Sequence, residues 1–143
     1  MYRPTEVEIA YCAGFFDGEG TVSIQEPYTF PRPYLIFANN HEGVLKDIQG
    51  ILQAGKIYPP RQFRCYQLFI MKAGEVAKVG NWLLPFLRVK KFQVEWGIKL
   101  ASVVEQCPAR DIPDNLLNLR LQIATIIKAE NQKRGSILSV EVA

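Results

Sequence analysis

Hydrophobic and polar positions along this chain follow two rhythms, and the switches between them outline its elements. Residues 9–16 (Ile-Ala-Tyr-Cys-Ala-Gly-Phe-Phe) form an apolar run with small residues spaced along it. Thr5 stands before it as an N-cap. Glu6 and Glu8 fall where the positive end of a helix dipole favours acids, so the pattern predicts a helix over 6–16. Residues 21–25 then alternate with period two, Val22 and Ile24 on one face and Thr21, Ser23 and Gln25 on the other. Residues 34–39 supply a partner strand across the proline-rich stretch 27–33. Residues 43–52 place Val44, Leu45, Ile48, Ile51 and Leu52 at helical spacing, and Gly55 ends the connection. Residues 56–58 and 65–70 form a second hairpin, with Pro59, Pro60 and Arg61 in its turn. A third helix covers 73–84, with Val76, Val79, Leu83 and Leu84 inward and Pro85 closing it. Two more helices follow, over 91–106 and over 115–130. Pro108 and Pro113 bracket the loop between them, and Asp114 caps the second. Beyond Lys133 the tail shows weak strand character at 139–142.

The order is helix, strand, strand, helix, strand, strand, helix and then extra helices, an α+β arrangement that occurs once and without internal repeat. The 143 residues, 48% of them hydrophobic, suffice for one domain spanning 1–143. No stretch approaches the roughly 20 apolar residues of a membrane span, and the N-terminus lacks a signal peptide's apolar segment. The expectation is an intracellular protein, in cytoplasm, nucleoid or organelle, that is neither secreted nor membrane-bound. Cys12, Cys65 and Cys107 are odd in number and far apart, which fits neither a disulfide framework nor a zinc site; they read as small buried hydrophobes.

A net charge of +3 is too mild to announce a nucleic-acid binder, so its distribution matters more. Arg32, Arg61, Arg64, Arg88, Lys90 and Lys91 cluster where loops are expected. The acids are more telling. Asp17-Gly18-Glu19-Gly20 puts two carboxylates at the end of an apolar helix, where the dipole opposes them unless a cation or a specific hydrogen bond compensates. A solvated acidic turn is one reading of this segment, and a metal site is another. Gly14, Gly18 and Gly20 would cost local stability, which suggests close backbone approach and a left-handed helix exit. Ala13, Gly14 and Gly18 make a small-residue face on which a second helix could lie.

Cys12-Ala13-Gly14-Phe15-Phe16-Asp17-Gly18-Glu19-Gly20 resembles the signature of the LAGLIDADG homing endonucleases, with Cys for the first Leu and Glu for the penultimate Asp. The resemblance extends to the element order. It implies an αββαββα half-domain whose four antiparallel strands form a concave DNA-binding saddle, with additional C-terminal helices. Members with a single motif borrow the second motif helix from another subunit, so a C2 homodimer is expected, with Ala13, Gly14, Asp17 and Gly18 at its interface. Glu19 is then the catalytic metal ligand, Gly18 or Gly20 adds a carbonyl, and Mg²⁺ is the expected ion. Lys90, with Lys91 as the alternative, is expected beside the scissile phosphate. A second polar catalytic residue falls at Asn39 or Asn40, with His41 starting the following helix and Asn40 capping it. Asp17 supports the turn and the packed helices.

On this resemblance the outward strand positions read the major groove of double-stranded DNA. Strand periodicity picks out Ser23, Gln25, Tyr34, Lys56, Tyr58 and Gln67, while Arg32, Arg61 and Arg64 sit at hairpin tips. The implied activity is metal-dependent hydrolysis of both strands of a long pseudo-palindromic site. The alternatives are an RNA maturase or non-cleaving DNA-binding protein on the same fold, and a metal-free interaction module whose acids are structural.

Overall fold

In a computed structural model that describes residues 2–25, 30–61, 64–107 and 111–142, with side chains followed to residue 133, the helices and strands appear in the expected order. They are α1 (Glu6–Glu19), β1 (Gly20–Ile24), β2 (Pro33–Asn39), α2 (Glu42–Leu52), β3 (Lys56–Tyr58), β4 (Tyr66–Ile70), α3 (Ala73–Leu83), α4 (Lys91–Gln106) and α5 (Asp114–Val142). A 3-10 turn, Leu84–Phe86, links α3 to the segment before α4. The fold is α+β, with one four-stranded antiparallel sheet in the order β1-β2-β4-β3.

Register fixes which residues share a face, because directly opposed residues of antiparallel strands point the same way. Val22 opposes Leu35, Leu35 opposes Ile70, and Ile57 opposes Leu68. These residues face the helices. Val22, Leu35, Phe37, Leu68 and Ile70 are buried there with Ile9, Cys12 and Phe16 of α1. The Phe16 and Phe37 rings meet edge-to-face at 5.0 Å. Burying a side chain of this size contributes about 1.5–3 kcal/mol, so the inner sheet face and α1 form the energetic centre of the fold.

Thr5 starts α1 as predicted and does so reciprocally: its N–H donates to Glu8 Oε1 at 2.9 Å while Glu8 N–H donates to Thr5 Oγ1 at 3.2 Å. The far end departs from expectation. The helix continues past residue 16 to Glu19, with the Gly20 N–H donating to the Phe16 carbonyl. Gly20 leaves it in extended conformation at φ −101°, not left-handed. It is glycine for want of space, since a Cβ there would fall 2.6 Å from the Phe16 carbonyl oxygen. The left-handed residues lie after α2 instead, at Gln53 (φ 49°) and Gly55 (φ 91°).

Three further boundaries differ. His41, not Asn40, caps α2: Val44 N–H donates to His41 Nδ1 at 3.0 Å, and His41 N–H donates to Asn39 Oδ1 at 2.8 Å. Asp114 is the first residue of α5 and not its cap, since the Pro113 carbonyl accepts from Leu116 and Leu117, both at 3.0 Å. The backbone of 139–142 is helical, so α5 absorbs the tail that alternated weakly like a strand. Residues 27–29 of the proline-rich stretch, and Pro108, lie outside the described residues.

Alpha-5 covers the free edge of β1. Asn131 Nδ2 donates to the Val22 carbonyl at 2.8 Å, and Arg120, only 2% exposed, donates from Nε and Nη2 to the Pro31 carbonyl at 3.3 and 3.0 Å. Burial and the neighbouring Arg32 both push the Arg120 pKa down.

Of the cysteines, Cys12 is buried as expected, whereas Cys65 and Cys107 are half-buried. Burial, and then the nearby Glu8, push the Cys12 thiol from 9.0 up to about 12. Only the thiolate reacts, so at pH 8 an alkylating reagent should modify Cys65 and Cys107 while Cys12 reacts only on unfolding. Because folding raises this pKa, the associated stability is complete below pH 9.0 and declines as the pH rises towards about 12. Mass-mapped alkylation checks this, and rapid modification of native Cys12 would contradict its packing.

Candidate functional site

The last turn of α1 separates the two acids. Asp17 turns inward, and its carboxylate accepts three backbone N–H groups: from Arg88 at 2.9 Å, Val89 at 3.1 Å and Lys90 at 3.0 Å. Those residues lead into the N-terminus of α4, whose dipole favours an anion. Lys90 answers in the opposite direction. Its Nζ donates to the Phe16 carbonyl at 3.2 Å and to the Gly20 carbonyl, and it lies 5.9 Å from the centre of the Phe16 ring. The cation and hydrogen bonds that the acidic helix end requires therefore come from the chain itself. Lys90 places a cation on carbonyls at the C-terminal end of α1, where the dipole is negative, and Asp17 is balanced by donors preceding α4.

Glu19 is left on the outside. It is exposed, as is Gly18 beside it. Glu19, Gly18 and Lys90 thus share one end of α1. Lys91 is exposed on the first turn of α4. Strand β2 runs past its Gly20–Phe37 pair to Asn39, so Asn39 and Asn40 lie at the same end of the sheet as α1's tip. The Asn39 side chain accepts from His41, which commits its oxygen to the turn, whereas Asn40 is exposed.

On the open face of the sheet, Ser23 opposes Tyr34, and Gln67 opposes both Ala38 and Tyr58. Lys56 opposes Phe69. Ser23, Tyr34, Lys56, Tyr58 and Gln67 therefore share the face away from the helices, and Gln25 follows β1 in the same alternation. Burial raises the Tyr34 pKa, as does Tyr58, with Arg32 opposing, so Tyr34 stays a neutral phenol able to donate or accept. The Lys56 ammonium lies 5.2 Å over the Tyr58 ring. Arg61 and Arg64 are exposed at the β3–β4 connection, and Arg32 is half-buried at the start of β2.

The exposed side of α1 differs from the expected small-residue face in one member. Ala13 is fully buried within this chain and cannot meet a second helix. Val7 (80% exposed) and Tyr11 (51% exposed) take its place, in line with Gly14 and Gly18. Positions 7, 11, 14 and 18 form one stripe at helical spacing. At Gly14 and Gly18 a Cβ would meet nothing within 4 Å among the described residues. Neither glycine is demanded by the chain's own packing.

Several contributors were missed. Ile36, Ala38 and Phe69 also lie on the open face, beside Thr21, which the alternation places there. Strict alternation could have found them, had apolar outward positions been kept. Arg120 and Asn131, which fix the β1–β2 hairpin, carry no local sequence signal because their partners are carbonyls far away in the chain.

A family model described as LAGLIDADG-like domain matches residues 6–62, the stretch that holds α1, β1, β2, α2 and β3. That match covers less than half of the chain, and the chain has the fold of the LAGLIDADG homing endonucleases. Among solved structures it is similar to I-CvuI in complex with the I-CreI target in the presence of 2 mM Mg, at 21% identity, over 87% of this chain and 82% of that one, with a TM-score of 0.73. It is also similar to the archaeal intron-encoded homing endonuclease I-Vdi141I complexed with DNA, at 24% identity, over 87% and 84% of the two chains, with a TM-score of 0.73. The meganuclease I-AabMI bound to uncleaved DNA matches at 18% identity and a TM-score of 0.69, over 81% of this chain but only 43% of the longer one. No curated protein matches the chain.

Proposed function

We propose that this chain is a site-specific endonuclease that cuts both strands of double-stranded DNA as a C2 homodimer, with Mg²⁺ held at Glu19. The carrying observation is the division of labour at the end of α1: Asp17 and Lys90 satisfy each other's helix ends, which leaves Glu19 exposed beside an unoccluded glycine stripe. An acid serving only a turn would have no need of that arrangement.

The donor set fits a hard divalent ion. Glu19 offers a carboxylate, and Gly18 lies in the last turn, whose carbonyls the helix cannot satisfy. Among the described residues no three His, Cys, Asp or Glu side chains cluster, so an ion here would complete its shell with water and phosphate oxygens, as Mg²⁺ commonly does. Such an ion supplies an activated water and charge stabilisation on phosphate. Glu19 would hold it, Lys90 would place positive charge beside the scissile phosphate, and Asn40 or Asn39 would orient water. Among the described residues no helix is long and apolar enough to cross a membrane, and the open sheet face is the surface presented to DNA.

The homodimer follows from having one acidic-tipped helix where two strands must be cut. The match to only 43% of I-AabMI agrees with a fold used twice. If partner helices cross at Gly14, then Gly14→Val leaves the single chain folded, because its Cβ meets nothing at home, but splits the assembly and stops double-strand cutting. Light scattering with circular dichroism checks this, and an intact, active dimer of the variant would count against the interface.

The direct test is incubation of a randomised duplex library with the protein and Mg²⁺, with and without chelator. The proposal expects chelator-sensitive cutting at a recoverable, roughly palindromic site. Binding without cutting would leave a DNA-binding protein on this fold, and neither would overturn the reading.

A further inference from the structure

A polar reading surface has no evident use for apolar side chains, yet an apolar strip crosses its middle. Register places Thr21, Ile36, Phe69 and Lys56 directly opposite one another across all four strands, on the face away from the helices. Ile36 and Phe69 occupy the two inner strands of that row. Phe69 is flanked edge-to-face by Tyr58 at 5.1 Å and Tyr34 at 6.1 Å. The rings hold it in one orientation and leave it half-buried.

In the major groove the only apolar feature that distinguishes one base pair from another is the thymine C5-methyl, and apolar side chains recognise it by contact. Neighbouring strands lie about 4.8 Å apart, while successive bases rise about 3.4 Å, so Ile36 and Phe69 span one to two base steps. Resting on the DNA-reading function proposed above, we infer that Ile36 and Phe69 recognise thymine methyl groups, so that each half-site carries thymine at one or two neighbouring positions near the centre of the stretch the sheet covers. The cation at one end of the strip, Lys56, lies where the backbone phosphates flank the groove.

The test uses duplexes recovered by binding selection from a randomised library in Ca²⁺, each resynthesised with uracil replacing one thymine at a time. Removing a buried methyl should weaken binding about fourfold, the factor equivalent to about 0.8 kcal/mol per buried CH₂. This loss is expected at one or two adjacent positions per half-site and nowhere else under the sheet. Phe69→Ala or Ile36→Ala should erase the thymine–uracil difference at its own position, a coupling read as a double-mutant cycle. The uracil substitution leaves the protein untouched, so the test stands even where a variant fails to fold. A recovered site that binds equally well with uracil at every position, or discrimination that survives both variants, overturns the inference while leaving DNA reading intact. Failure to recover any bound duplex overturns both.

Discussion

Glu19→Gln is expected to abolish cutting while the uncut duplex is still bound. The amide keeps the size of the carboxylate and its exposed place at the end of α1 but loses the charge proposed to hold a divalent ion. Groups that merely support a metal ligand are worth about 10–100-fold, so removal of the ligand itself should cost more than 100-fold in cleavage rate. Binding should change little, since the proposed DNA contacts are on the sheet face and the hairpin cations. Paired measurements of cleavage with Mg²⁺ and of affinity by gel shift in Ca²⁺ decide the matter. An unchanged cutting rate would remove Glu19 from the reaction, and lost affinity with a normal rate on saturating DNA would move it to the binding surface.

Asp17→Ala should damage both stability and rate. The carboxylate accepts three backbone N–H groups, and hydrogen bonds to a charged acceptor are worth about 1.5–3 kcal/mol each. Those bonds are not additive, and the half-exposed site lets water replace part of the loss, so the expected destabilisation is about 2–3 kcal/mol in denaturant unfolding. The second effect separates positioning from simple support. The clamp fixes the backbone of Lys90, whose ammonium lies on the Phe16 and Gly20 carbonyls at the foot of α1. Well below the unfolding transition, the variant should therefore cut about 10–100-fold more slowly with little change in duplex affinity. Asp17→Asn, which keeps one acceptor oxygen, should fall between. If Asp17 acts through Lys90, adding Lys90→Ala to Asp17→Ala costs much less than the product of the two losses. Independent, multiplicative losses would contradict that route.

How much of this was legible beforehand depended on whether the cause was local. Val22 and Ile24 alternate with Ser23 and Gln25 because a strand has two faces, and that periodicity sorted the outward residues correctly. Thr5 with Glu8 is a helix start written in adjacent residues. The other end of α1 could not be read this way, since what prolongs it to Glu19 includes Lys90 and the segment before α4, brought together only by folding. The compensation that the two acids seemed to ask of a metal is supplied for Asp17 by the backbone N–H groups of Arg88, Val89 and Lys90. Ala13 was misplaced for a related reason: small residues at helical spacing mark a close approach but not which side it comes from, and here Ala13 faces the core while Gly14 and Gly18 face out. Phe69 and Ile36 were overlooked because apolar residues are assumed to face inward, an assumption the register refutes.

The central claim is that two copies of α1 pair along Val7, Tyr11, Gly14 and Gly18 and so present two Glu19 carboxylates to the two strands of one duplex. Its most direct test is the solution mass of the 143-residue chain by sedimentation equilibrium at micromolar concentration. The account predicts twice 16.3 kDa for the wild-type chain. A mass of 16.3 kDa, with no more than one chain bound per duplex when DNA is added, would contradict it.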